Sequence, residues 1–364
     1  EEKLAALQEY LSAIPKHKGT ENLVKQVRRK IAKLREEIEE ERMRRRKGKG
    51  APGIAVEKEG DIQMVLVGFT NSGRSSILSA LTRAKVEVDS RPVTTTLPVP
   101  GMLEYDGVLI QIVEAPPLLE GAERWNAKIF LLVRNADGVF VVLDALNNPV
   151  KQFLKIKELM ESAGIILGKP TFKVEISRGP YSQPQVIING TLVDAVPDDI
   201  RRMLIDYGMS NVRIVISGNA KLGDIEKSIT GYHFYKPAII LLNKMDMANE
   251  KILKSIKGLA GGLPVVPVSA LKKKGFDELG ELVLQELDLI RIYTKEPGQQ
   301  EPSKRPLVLK RGATVMDVAE RIHRLFVKRF RYARIWGKSV KYPGSKVGLD
   351  HVLEDKDVIE IRTY

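Results

Sequence analysis

Asn243-Lys244-Met245-Asp246 carries the most specific chemistry in the chain. Guanine presents N1–H and an exocyclic amine side by side, and one carboxylate, Asp246, can accept from both, whereas adenine lacks that donor pair. In this arrangement the Asn243 amide orients the loop and reaches N7, and the Lys244 stem lies over the ring. Ser269-Ala270-Leu271 falls at the end of the next strand, placed for a backbone N–H to meet the guanine O6. Upstream, Gly68-Phe69-Thr70-Asn71-Ser72-Gly73-Arg74-Ser75 follows an apolar run and fits the phosphate-cradling pattern GxxxxGK(S/T). Its glycines let backbone N–H groups curl around phosphates, and the helix that follows adds positive potential at its N-terminus. Nucleotide contacts are therefore expected from Asn71, Ser72, Gly73, Arg74, Ser75 and Ser76, and from Asn243, Lys244, Asp246, Ser269, Ala270 and Leu271. Arg74 stands where the pattern has Lys. The charge is kept, but the fork is longer and planar, so the change is not conservative.

A magnesium ion is expected on Ser75 and on a threonine of Arg91-Pro92-Val93-Thr94-Thr95-Thr96, with Thr95 the first choice and Thr94 the second. The same threonines also read as an ordinary strand edge. Arg74 and Thr95 are the candidates for assisting hydrolysis. After VLIQIVE, where a DxxG segment would follow γ-phosphate, the chain has Glu114-Ala115-Pro116-Pro117. Pro117 has no N–H to offer a phosphate. Leu118 and Leu119 come next, so no glutamine is placed to orient a water there. Asn71 either helps hold a potassium ion or simply tolerates a turn.

Elements that could position these groups follow from the patterning. IQMVLVG (62–68), VLIQIVEA (108–115), GVFVVLDA (138–145), AIILLNK (238–244) and LPVVPVSA (263–270) are apolar runs with polar C-terminal ends. Separated by helices such as SSILSALT (75–82), they predict an α/β fold with a mostly parallel sheet and helices on both faces. Ligands of such sheets bind at the C-terminal strand edges, where both motifs fall. Leu4, Leu7 and Leu11, then Val24, Val27, Ile31, Leu34 and Ile38, predict an N-terminal helical hairpin packed on itself, followed by a basic linker, within residues 1–50. The sheet domain is expected over 51–167 and 235–296, interrupted by a β–β–α–β–α insert at 168–234. A β-grasp, ubiquitin-like domain is expected at 297–364, with one long helix over 314–330 that starts on a Thr314/Asp317 capping box.

The 364 residues have a net charge of +13, no cysteine and four scattered histidines. Disulfides and thiolate sites are excluded, and a histidine metal cluster is not expected. No apolar run approaches membrane-spanning length, and EEKLAALQEY has neither the basic nor the apolar region of an export signal. The expectation is a cytoplasmic protein without a membrane partner. The charge surplus fits a polyanionic partner, the ribosome or structured RNA, or else a charge-rich surface of thermophile type. It clusters in the last domain, where Arg324, Lys328, Arg331, Lys338 and Lys341 are the candidate RNA contacts. Phe326, Phe330, Tyr332, Trp336 and Tyr342 lie among them, some needed for a core and some available to stack on bases.

The phosphate loop, the TT segment, LLEGA after the altered third motif, NKMD and SA together resemble the DRG family of Obg-like GTPases. LDLIRIYTKEPGQ and YARIWGKSVKYPGSKVGLDHVLEDKDVIEI are similar to that family's TGS domain, and HKGTENLVKQVRRKIAKLR to its helical hairpin. The resemblance implies GTP and GDP binding, magnesium, slow hydrolysis and a role in translation. In eukaryotic members it also implies a dedicated regulatory protein partner. The family's P-loop Lys and DxPG motif are altered here at Arg74, Glu114 and Pro117. A pseudo-GTPase scaffold or RNA adaptor without hydrolysis is therefore the second reading.

Overall fold

The computed structural model describes residues 6–7, 10–11, 14, 23–34, 56–82, 97–170, 172–230, 234–299 and 301–364. The expected Thr94 and Thr95, the basic linker and part of the N-terminal hairpin lie outside them. The chain divides into two compact units, 54–163 with 236–364, and 1–53 with 164–235.

The first unit opens with β1 (Ile62–Val67), the phosphate-loop segment and α1 (Arg74–Leu81). Then come β2 (Val99–Tyr105), β3 (Val108–Glu114), α2 (Glu123–Asn135), β4 (Gly138–Asp144) and α3 (Pro149–Ser162). All six residues of β1 and all seven of β4 are buried, as strands covered on both faces require.

The second unit contains β5 (Ile165–Leu167), β6 (Phe172–Arg178), β7 (Gln185–Leu192), α4 (Pro197–Asp206), β8 (Val212–Ala220), α5 (Leu222–Ile229) and β9 (Phe234–Lys236). β6 runs antiparallel and β7 parallel to the central β8. The N-terminal stripe does more than pack on itself. Val27 and Ile31 are buried in one cluster with Ile200, Leu204, Ile214 and Ile225 of the insert. Arg28 bonds Asp206 and Glu226, each at 3.0 Å. The stripe and the insert therefore form one folding unit, where the sequence suggests two.

Returning to the first unit, β10 (Ala238–Asn243), α6 (Glu250–Leu259) and β11 (Val265–Pro267) complete a six-stranded sheet ordered β11-β10-β4-β1-β3-β2. Only β2 is antiparallel. One face buries Met64, Leu66, Ile112, Phe140 and Leu241 against Ile77 and Leu78 of α1 and Val283 and Leu284 of α7 (Leu279–Glu286). α3 and α6 cover the opposite side, against β4 and β11.

The last domain begins earlier than residue 297. β12 (Leu289–Thr294), which lies before that boundary but within the stretch that resembles the TGS domain, joins β13 (Leu307–Lys310), β14 (Phe330–Trp336), β15 (Ser345–Val347) and β16 (Val358–Thr363) in the order β13-β12-β16-β14-β15. β12 and β16 are parallel, the mark of a β-grasp. The capping box at Thr314 and Asp317 is present, but His323 is extended and divides the expected long helix into α8 (Val315–Ile322) and α9 (Arg324–Lys328).

Arg291 of β12 joins the two sheets. It is 2% exposed and bonds Asp355 beside it, Asp106 in the β2–β3 turn and Glu281 on α7, at 2.6, 2.9 and 3.0 Å. Burial alone would lower its pKa, but the hydrogen bond and charge of Asp355, with Glu281 and Asp106, raise it above the ordinary arginine value. Removing one partner from such a cluster strands buried charge. Arg291→Met is expected to lower unfolding stability by about 3 kcal/mol, read by chemical denaturation. A loss below about 1 kcal/mol would show the cluster to be a solvated surface group.

Candidate functional site: the C-terminal edge of the parallel sheet

The phosphate loop starts where β1 ends. A Cβ on Gly68 would lie 2.7 Å from both Ser72 Oγ and the Val142 carbonyl, so only glycine fits. Asn71 turns the chain with φ 62° and Gly73 with φ 89°, leaving Gly73 as the N-cap of α1. A Cβ on Gly73 would also strike the Asn243 carboxamide. Ser72 is buried, and its Oγ lacks a hydrogen-bond partner. Ser76 lies in the first turn of α1, and Asn71 is exposed.

Asn243, at the tip of β10 and 2% exposed, links the two halves of the site. Its Nδ2 donates to the Ser72 carbonyl at 3.1 Å, and its Oδ1 accepts from the Ala270 N–H at 3.1 Å. Lys244, at φ 65°, donates to the Asn71 carbonyl at 3.1 Å and pairs with Asp144 at 2.6 Å. The motif thus brings Asn71–Ser75 and Ser269–Leu271 to one edge. Ser269 Oγ accepts from the Lys272 N–H at 3.1 Å. The Ser269 hydroxyl, assisted by Lys272 at 3.7 Å, holds the Asp246 carboxyl below its usual range. Asp246 is therefore ionised, as an acceptor for two N–H groups must be. Leu271 is 84% exposed. Sequence reasoning missed Asp144 and Lys272; the polar end of the apolar run GVFVVLD was the available signal for Asp144.

Arg74 is folded inward. It is 7% exposed, and its guanidinium donates to the Gly68 carbonyl while Nε lies 3.9 Å from Glu114 Oε1. Burial lowers its pKa and Glu114 offsets part of the drop, leaving it at about 10, so it stays charged at neutral pH. Glu114 is fully buried at the end of β3, and its Oε1 accepts from Ser75 Oγ at 2.6 Å. For magnesium this is a poor shell. Among the described residues at this loop, the Glu114 carboxylate already faces a buried cation, and Ser75 is bonded to it. No group of three acidic or histidine side chains suited to a metal occurs among the described residues.

The segment after β3 is held down. Glu114 through Leu118 are all buried. Leu118 N–H donates to the Gly68 carbonyl at 3.1 Å, and Trp125 Nε1 to the Pro117 carbonyl at 2.8 Å. Asn126 clasps Leu119 from both sides, accepting from its N–H at 3.1 Å and donating to its carbonyl at 2.7 Å.

On the last domain Arg324, Lys328, Arg331, Lys338 and Lys341 are all exposed. Arg331 sits where the β14–β16 register shifts, 5.6 Å from the Tyr364 ring. Lys346 lies over Tyr332 at 4.7 Å and Lys295 over Trp336 at 4.8 Å. Phe326 and Phe330 pack on the core, whereas Tyr342 is 66% exposed. No described helix is long and apolar enough to cross a membrane.

Three family models cover most of the chain. They are a 50S ribosome-binding GTPase over residues 63–174, the C-terminal region of the same GTPase domain over 185–289, and a TGS domain over 290–363. An uncharacterized GTP-binding protein of Methanocaldococcus jannaschii is 36% identical across 99% of this chain and 92% of its own length. Mouse developmentally-regulated GTP-binding protein 2 is 32% identical across 99% and 98%. Among solved structures, the G domain of the Thermotoga maritima FeoB iron transporter is a distant likeness, 20% identical over 62% of this chain and 98% of that one, with a TM-score of 0.34.

Proposed function

The chain belongs to the family of developmentally regulated GTP-binding proteins, and from that membership we propose a slow GTPase that acts in translation through contact with ribosomal or other structured RNA. The observation that carries the nucleotide half is the Asn243 carboxamide joining the phosphate loop to the base loop beside an ionised Asp246. Guanine is selected because Asp246 offers acceptors only. Changing it to Asn presents a donor, which suits the C2 carbonyl of xanthine. Asp246→Asn is expected to weaken GDP binding by at least about a hundredfold and to gain xanthosine diphosphate, as read by calorimetric titration. Unchanged GDP affinity would remove the carboxylate from base reading.

Turnover is slow in this reading because Pro117 has no N–H for a γ-phosphate and its segment is pinned by Trp125 and Asn126. Leu118 and Leu119 orient no water. Arg74 and Thr95 are the groups left to assist, and Asn71 to hold a potassium ion. In single-turnover assays GTP hydrolysis is expected to be faster in potassium than in sodium, and to rise in Pro117→Gly. Rapid wild-type turnover, indifferent to the cation, would contradict both points.

The exposed cations and ring-stacked lysines of the last domain support RNA as the partner, with the cytoplasm as the place of action. Phosphate contacts release counterions, so affinity for structured RNA or ribosomes is expected to fall by at least about tenfold between 50 and 200 mM salt. It should fall again in a Lys338→Ala, Lys341→Ala double variant. Salt-insensitive binding would point to protein docking, including the kind of regulatory partner known for eukaryotic relatives.

A further inference from the structure

We propose that Arg74, by pairing with Glu114, takes up the carboxylate that a divalent ion would need at the phosphate loop, so that the chain holds GDP without magnesium. The inference rests on the guanine-nucleotide reading above and specifies how that site is balanced.

Two features of the buried loop carry it. The first is charge. Glu114 is wholly enclosed, accepts from Ser75 at 2.6 Å and lies 3.9 Å from the Arg74 guanidinium. Hard divalent cations are held by anionic oxygens, and here Glu114 Oε1 already faces the Arg74 guanidinium and accepts from Ser75. The second is donor capacity. Arg74 Nε and Ser72 Oγ are both buried and lack hydrogen-bond partners, a costly state for polar atoms unless a ligand completes them. Phosphate oxygens are acceptors of the right charge for both. A guanidinium can also engage two oxygens at once, whereas an ammonium acts as a point charge.

The two departures from the usual motif are thus one device. Glu reaches further than Asp by one methylene and bonds Ser75 while standing beside the guanidinium. Arg keeps one nitrogen on the Gly68 carbonyl and still has others to offer. The same carbonyl accepts from Leu118 at 3.1 Å, so the cation is seated against the buried segment after β3.

The test is calorimetric titration of the full chain with GDP at constant ionic strength, once with millimolar magnesium and once with EDTA. The two dissociation constants are expected to agree within about threefold. Weakening by more than about thirtyfold in EDTA would overturn the proposal. The reverting double change Arg74→Lys, Glu114→Asp is expected to make binding depend on magnesium by at least about tenfold. A double variant as metal-independent as wild type would show that the pair is not the cause. A thermal melt checks that the variant folds; should it not, Arg74→Lys alone is read in the same way. If GDP binds under neither condition, the guanine-nucleotide reading itself fails, an outcome distinct from binding in magnesium only.

Discussion

A single buried carboxamide holds the site together. Asn243 satisfies the Ser72 carbonyl on one side and the Ala270 N–H on the other, at the tip of a strand with no exposed residue. Neither backbone group is left to find a partner of its own, which buried polar atoms require. The geometry constrains the neighbours in turn. Gly73 must lack a Cβ because the carboxamide fills that space, and Lys244 must accept positive φ so that its ammonium can meet Asp144 and the Asn71 carbonyl. The parallel sheet matters because it delivers β1, β4 and β10 to one edge in register, with Asn243 opposite Asp144.

Around that frame the charges are arranged for holding rather than for moving. Arg74, Glu114 and Ser75 form a closed set beneath the loop, and the chain from Glu114 to Leu119 is fastened to β1, the Gly68 carbonyl and α2. A segment that reports γ-phosphate needs a free N–H and room to swing. Two prolines and a clasping asparagine remove both. Arg291 extends the same rigidity to the β-grasp domain by tying the β2–β3 turn to β12.

Much of this was legible in the sequence because it depends on local chemistry. The apolar runs gave the strands of the sheet, and the glycines and NKMD gave its edge. Thr314 with Asp317 gave the start of α8. What escaped depends on distant partners. Nothing near Val27 or Ile31 says that they bury against Ile200 and Ile214 of the insert. The stretch around Ile290 resembles a TGS domain, yet nothing local in it names β16 as the strand it pairs with. Pro117 was readable as a lost donor, but the inward turn of Arg74 was not, because a guanidinium's direction is set by Glu114, forty residues away in the chain. Nor was the break at His323, where the apolar pattern continues but the backbone becomes extended.

The central claim is that this edge binds a guanine nucleotide across the Asn243 link. A crystal structure of the full chain grown with GDP tests it most directly. The account places the base edge on the Asp246 carboxylate and the diphosphate over the N–H groups of Asn71–Ser75, with Asn243 unmoved. A nucleotide elsewhere on the surface, or this edge without one at saturating GDP, would contradict it.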